Sequence, residues 1–357
     1  MHVAVIGAGL AGVSAAYYLQ QAGAQVTVID RQPGAGLETS YANGAMLTPS
    51  LADPWNSPGV FGQLLRSLGR SDAAMLLRLR TIPGLAGWGM RFLANSSRSN
   101  FEASYLQNML LAQYSLRLMR ELRLHTGIEF EFQKGGVLKI FEDDAALEDA
   151  VATGRRLQQA GLSYRLLNVD ELVQLEPMLQ PGSDRLVGAV HYPDDQVGNA
   201  RLYCDRLAAW LAREGVCFRF GERVFGFDTG GGVIKAVESS SGRLEADVFV
   251  LAAGSFSARL ARQLRIRVPV VPAKGYSITL DGALSPRYPV VDDALHAAVV
   301  PLGGRLRVAG TAEFAGFDPA IRKQRIANLT RLLTRVYPQV EIDYSTLNAW
   351  MGFRPMS

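Results

Sequence analysis

Residues 3–30 read VAVIGAGLAGVSAAYYLQQAGAQVTVID, and this stretch decides the fold class. Val3 and Val5 share one face of a short apolar run, and Ile6 leads into Gly7-x-Gly9-x-x-Gly12. Ala16, Leu19 and Gly23 follow at near-helical spacing; Val26 and Val28 then alternate up to Asp30. The order is strand, glycine turn, helix, strand, acid, which is the signature of a dinucleotide site. Gly7 permits the tight turn off the first strand. Gly9 leaves the backbone open to a pyrophosphate, and Gly12 lets the helix pack close to the strands. The free N–H groups and positive dipole end of the helix beginning near Leu10 suit phosphate. Asp30 is set to accept hydrogen bonds from ribose hydroxyls. The stretch by itself does not distinguish NAD from FAD.

The loop after Asp30 extends the same site. Arg31-Gln32-Pro33-Gly34-Ala35-Gly36 is polar and glycine-rich, and Glu38-Thr39-Ser40-Tyr41-Ala42-Asn43-Gly44 adds small and hydrogen-bonding residues that can close over a bound nucleotide. A second diagnostic run comes late, at Glu245 to Gly254 (EADVFVLAAG). Its nearly continuous apolar character predicts a strand buried on both faces. Returning to the first sheet so far along the chain makes the nucleotide domain discontinuous, with a second domain interleaved.

The 357 residues are 48% hydrophobic and 20% charged, ordinary for one large or two smaller domains. The net charge of +4 is scattered over arginines and calls for no nucleic-acid partner. Arg259, Arg262, Arg265 and Arg267 form a local cluster, read first as a solvated helix end and second as a peripheral contact with an anionic membrane surface. Cys204 and Cys217 fit no metal spacing and read as two buried free thiols. With four histidines, spread from His2 to His296, no metal site is expected. The chain starts directly on a strand, so no signal peptide is expected, and no apolar run approaches the ~20 residues that span a bilayer. The expected location is the cytoplasm, soluble or peripheral on the inner face of the cell membrane.

Periodicity predicts helices over most of 55–126, with Leu64, Leu65 and Leu68 on one face, Met75, Leu76 and Leu79 on another, and a long helix from Phe101 to Thr126. Helices are also expected at Asp144–Ala160, from Val169 to Pro177, at Ala200–Glu214 with Asn199 as cap, and at Pro319–Tyr337. Strands are expected at Gly136–Phe141 and Gly188–Tyr192. A meander is expected over Val216–Phe220, Val224–Asp228 and Val233–Glu238, and an antiparallel sheet from Val268 to Ala309 with a Gly303-Gly304 hairpin.

The spaced set VIGAGLAGVSAAYYLQQAGAQVTVIDRQPG (5–34), ETSYANG (38–44), DPWNSPGV (53–60), LAAGSFS (251–257), PAKGYS (272–277), AGTAEF (309–314) and GFRP (352–355) resembles the FAD-dependent D-amino-acid oxidase superfamily. The likeness is strongest to the dehydrogenases of that superfamily. It implies an α/β chain: a discontinuous Rossmann-like FAD-binding domain and a second α+β substrate domain on a mixed or antiparallel sheet. The expected division is 1–50, 135–265 and 340–357 for the FAD domain, and 51–134 with 266–339 for the substrate domain. The resemblance implies that FAD contacts Gly7, Ala8, Gly9, Leu10, Ala11, Gly12, Asp30, Arg31, Ser40, Ala42, Asn43, Gly44, Val224, Ala253 and Gly254.

It also implies oxidative deamination of a D-amino acid to a 2-oxo acid and ammonia, by hydride transfer from the α-carbon to the flavin. A quinone or another electron-transfer acceptor is the implied partner. Arg354 matches the family's carboxylate-binding arginine, and its planar fork suits both oxygens. Tyr276 is a second candidate for the pocket wall. Two departures stand out. The dehydrogenases usually read Ala-Asn-Ala-Gly where this chain has Ala42-Asn43-Gly44-Ala45. The sequence also stops at Ser357, inside a motif that continues in relatives, so the expectation is a truncated chain that holds FAD less tightly. The alternative readings are a flavin amine oxidase acting on glycine, sarcosine or proline-type amines, and a non-catalytic nucleotide-binding protein.

Overall fold

The apolar runs Val3–Ile6 and Val26–Ile29 lie side by side as parallel strands, because each is buried on both faces and can be covered only by packed layers. The computed structural model describes residues 1–62, 75–282 and 284–357. Leu64, Leu65 and Leu68 lie outside the described residues. His2–Ile6 forms the centre of a four-stranded parallel sheet in the order Cys217–Phe220, Gln25–Asp30, His2–Ile6, Val248–Leu251. The helix Leu10–Gln21 covers one face, packed with Ala200–Arg213 around Val13, Ala16, Leu207 and Leu211. Three antiparallel strands, Val224–Gly230, Val233–Ser239 and Gly242–Glu245, pack on the other. The expected meander therefore exists one strand later than its sequence reading, since Cys217–Phe220 pairs with Gln25–Asp30 instead. Val248–Leu251 does return to the first sheet, but as its edge, and Val248 is 40% exposed rather than buried.

The second sheet has nine strands and is mostly antiparallel. Its main path runs Asn348–Met356, Val271–Asp281, Arg305–Phe314, Ala297–Leu302, Val290–Asp292, Val137–Phe141, Gly188–Tyr192, Arg165–Leu167, with Met75–Leu77 beside Arg305–Phe314. This membership corrects the expected division of the chain. Strands at 137–141, 165–167, 188–192 and 348–356 belong to the large sheet, not to the nucleotide sheet. Met75–Leu77 is a strand and Leu79–Thr81 a single 3₁₀ turn, where helical spacing was expected. The long helix runs Arg98–Thr126, capped by the Ser97 hydroxyl and stopped at Gly127 in the left-handed region. Asn199 caps the helix Ala200–Arg213 as expected. Cys204 is buried, whereas Cys217, on an outer strand, is exposed.

Strand Val271–Asp281 divides its side chains between two faces. Tyr276, Ile278 and Leu280 enter the core under the helix Lys323–Val336, against Leu329, Leu333 and Val336. Ser277 and Thr279 face the opposite way, toward the loop after Asp30. On the core side, Tyr276 donates its hydroxyl to Glu313 Oε2 at 2.5 Å, and Arg78 Nε donates to Oε1 at 2.5 Å. Glu313 is fully buried; burial pushes its pKa up, but these donors outweigh it and hold the carboxyl below the usual range. Tyr276→Phe removes one donor and leaves a buried carboxylate oxygen unpaired. The expected loss is about 1–3 kcal/mol of unfolding free energy, read by urea titration; an unchanged midpoint would take this pair out of the core's support.

Candidate active site

The glycine turn is held by backbone contacts. Gly7 adopts φ +113°, and a Cβ there would lie 2.5 Å from the Ala252 carbonyl oxygen. A Cβ on Gly12 would overlap the Gly7 carbonyl oxygen itself. Gly9 is different: the nearest protein atom to a Cβ there is Ser40 Oγ at 3.4 Å. Gly7 and Gly12 are thus required by the protein's own packing, while the space over Gly9 is left open. Helix Leu10–Gln21 begins without a side-chain N-cap on Gly9, and Leu10 N–H donates to Ser40 Oγ at 3.3 Å. Residues Ala253 and Gly254 follow the neighbouring strand and close over Gly7; Gly254 has φ +53°.

Asp30 stands at the end of its strand, accepting from Ala8 N–H at 2.7 Å and Gln32 N–H at 2.8 Å. Burial raises its pKa, and the two amide donors oppose that shift. Arg31 is bound to Glu38 at 2.5 Å and stacked on Phe256 at 4.0 Å, so it shapes the loop. Val224 lies just past the Gly221 and Glu222 amides, which donate to the carbonyls of Gln32 and Asp30. These groups gather at the carboxyl ends of the parallel strands, where open α/β sheets bind ligands.

The loop then crosses to the large sheet. Ala42 C=O accepts from Ser277 Oγ at 2.7 Å, and Asn43 C=O from Arg307 Nη1 at 3.0 Å. The Asn43 side chain accepts from Ala45 N–H at 3.0 Å. A cavity of about 460 Å³ opens between the start of the first helix (Leu10, Ala11, Ser14), this loop (Asn43, Ala45, Met46) and the long helix. The open backbone at Gly9, the helix start and this cavity fit an adenine dinucleotide, whose ribose the groups around Asp30 would hold.

Arg354 lies on the last strand, in register with Ala273, and its guanidinium crosses Gly275. A Cβ on Gly275 would sit 2.8 Å from Arg354 Nε. Trp55 supplies a ring 5.7 Å from the guanidinium carbon. Desolvation pulls the Arg354 pKa below the ordinary value, and among the described residues no carboxylate pairs with it. Tyr276 is not brought to Arg354: it enters the core on the opposite face of the sheet. The strand carrying Arg354 is fixed to the nucleotide half through Phe353 C=O, which accepts from Thr39 Oγ1 and Ser255 Oγ, each at 2.9 Å.

Sequence reading missed three residues here. Thr311 sits at a bulge opposite Gly275 and Tyr276, with φ +56° and a buried hydroxyl lacking a partner among the described residues. Gly275 shows its role only when Arg354 is seen across it. Asp195 is buried and accepts from the Ser50 hydroxyl and amide; burial raises its carboxyl to about 7. Tyr105 donates to Ser50 C=O at 2.5 Å from the long helix. The Asp194-Asp195 pair after a strand was the only local hint.

The fold and site define a flavin-type dinucleotide oxidoreductase. The chain matches the family described as FAD dependent oxidoreductase (DAO) over residues 2–357, and it belongs to that family. It is 39% identical over 361 residues to a D-amino acid dehydrogenase of Methylobacterium sp. (strain 4-46), covering 100% of this chain and 86% of that protein. It is also 39% identical to a D-amino acid dehydrogenase of Paramagnetospirillum magneticum (strain ATCC 700264 / AMB-1), covering 100% and 85%. Its fold is that of glycine oxidase from Geobacillus kaustophilus, with a TM-score of 0.73 at 22% identity, covering 99% of this chain and 82% of the other. Among the described residues, no helix is long and apolar enough to cross a membrane and no cluster could hold a metal ion.

The loop departure has a structural consequence. Ala45 holds φ +56°, a left-handed conformation that costs an alanine about 1–2 kcal/mol and a glycine almost nothing. Gly44 has no such φ, and a Cβ on it would meet only Met46 and Ala309 side chains at 3.8 and 4.0 Å. The double exchange Gly44→Ala, Ala45→Gly is expected to raise unfolding free energy by about 1–2 kcal/mol, measured by urea titration. A loss of stability would contradict the backbone assignment.

Proposed function

We propose that this protein oxidatively deaminates D-amino acids, giving 2-oxo acids and ammonia, with an electron acceptor other than dioxygen. The observation that carries the reading is Arg354: a half-buried guanidinium, free of any protein carboxylate among the described residues, lying across Gly275 beside Trp55. Such a group suits a ligand carboxylate, since a planar fork can take both oxygens. The D configuration and the acceptor class are supported by the names of the relatives at 39% identity.

When bound, FAD would supply the acceptor for the substrate hydride. The protein's part is to bind, orient and exclude water. Arg354 holds the carboxylate and so fixes the α-carbon. Gly275 leaves room for the guanidinium to lie flat on the strand, and Trp55 walls one side. The Phe353 carbonyl, clamped by Thr39 and Ser255, keeps this strand at a set position against the dinucleotide crevice. The imino acid released is hydrolysed by water.

The chain supplied with FAD is expected to carry a flavin absorption band that bleaches anaerobically with D-amino acids, and to reduce an artificial dye faster than it consumes oxygen. Bleaching by glycine or sarcosine alone would move the reading to the neighbouring amine oxidases. Arg354→Lys is expected to raise KM about tenfold or more, because a charge-assisted bidentate contact is worth ~1.5–3 kcal/mol. Gly275→Ala is expected to raise KM as well, by displacing the guanidinium, with flavin content unchanged. Equal KM in both variants and the parent would remove Arg354 from the site.

A further inference from the structure

We propose that the cleft between the large sheet and the helix Ala200–Arg213 is a second binding site, for a small carboxylate anion. It is lined by Arg201, Arg305, Arg307, Trp350, Tyr41 and Asp281, among others, and encloses about 180 Å³. That is on the order of six water volumes, too small for a drug-sized ligand but ample for a short organic acid. It shares no lining residue with the large cavity. The wall between them is the loop at 41–45 and the start of the helix. Asn43 and Ala45 line the cavity while Tyr41 and Ala42 line the cleft; Gly198 and Ala200 face one side, Asn199 and Arg201 the other.

Arg307 forms the floor. It is 6% exposed, and its partners are neutral: Thr279 Oγ1 at 2.7 Å and Asn43 C=O at 3.0 Å. Burial, and secondly the charge on Arg305, bring its pKa down to about 10, so the folded chain holds this cation at a cost that a bound anion offsets. The other cations are also held in place. Arg305 is tied to Glu131 at 2.9 Å, and the same carboxylate accepts from Asn199 Nδ2 at 2.7 Å. Arg201 lies over the Tyr41 ring at 4.7 Å, and Tyr41 stacks on Trp350. The lining carries three guanidinium groups and one carboxylate, Asp281, exposed at the edge, while Glu131 behind the lining pairs with Arg305. Arg305 is neutralised by Glu131, so the buried Arg307, whose partners are neutral, and the exposed Arg201 at the rim are the groups left for charge-assisted hydrogen bonds to a carboxylate. The argument uses none of the residues assigned to the amine substrate.

The test is calorimetric titration of malonate into the FAD-supplemented chain at low chloride. Arg354→Ala should keep one saturable malonate site, which separates this cleft from the proposed substrate carboxylate site. Arg201→Gln, at the exposed rim, should weaken that site on the order of tenfold, and Arg307→Gln should abolish it. Should Arg307→Gln fail to fold, Arg201→Gln decides. The proposal is overturned if Arg354→Ala shows no saturable malonate binding, if Arg201→Gln binds as tightly as its parent, or if malonate binds the FAD-free chain but not the FAD-supplemented one.

Discussion

The close approach of three backbone segments governs this molecule: the turn at Gly7, the first turn of the helix at Gly12, and the strand end at Ala252. A side chain on Gly7 or Gly12 would overlap a carbonyl oxygen or come within 2.5 Å of one, so the helix can start at that place only because both are glycine. The consequence is electrostatic as well as steric. The helix start, with its positive dipole end, is brought over the carboxyl edge of the parallel sheet. Asp30 is then close enough to take the Ala8 amide at 2.7 Å, so the acid and the turn hold each other.

What makes a catalytic site out of a nucleotide crevice is the joint with the second sheet. That joint is polar and narrow. Phe353 C=O takes two hydroxyl donors, one from the loop after Asp30 and one from the turn after Val248–Leu251. Ser277 and Arg307 bind the carbonyls of Ala42 and Asn43 in the same way. Around it, Phe256, Phe317 and Phe353 form an aromatic cluster in which Phe353 stands edge-on to the other two rings. Arg354 is the residue next to Phe353, so its position is inherited from this joint.

The dinucleotide half was legible because its signals are local. Strand, glycine spacing, helix and acid fall within thirty residues, and each has its own steric reason. The late strand at Val248–Leu251 was also readable, since an Ala-Ala-Gly ending on an apolar run is a local pattern. Its exposure was not, because sheet order decides which strand is the edge. The same limit explains the domain division. Val137–Phe141 and Gly188–Tyr192 alternate like any strand, and nothing within them says that they pair toward Val290–Asp292 rather than His2–Ile6. Tyr276 follows from parity: one residue along the strand separates the face of Gly275 and Arg354 from the core face. Met75–Leu77 is a strand because Ala312–Phe314 offers it an edge, a tertiary effect that overrides helical spacing.

Strained backbone is concentrated where the two sheets meet. Five described residues other than glycine have positive φ, and three of them, Ala45, Glu131 and Thr311, surround the cavity, the cleft and the arginine strand. Each is over-determined by its neighbours. Ala45 is held at both ends, its N–H on the Asn43 side chain and its C=O taking the Gly198 amide at 2.8 Å. Glu131 is fixed by Asn199 and Arg305 and packs against Gly303, where no side chain could fit beside it. Thr311 is locked in a bulge between two long strands. A β-branched residue in that conformation is costly, and such strain survives only where the surroundings impose it. Here Ala45 lines the larger cavity, and Glu131 holds Arg305 and Asn199, which line the cleft. Each of the three strained positions is thus fixed by hydrogen bonds or strand pairing from more than one segment of the chain.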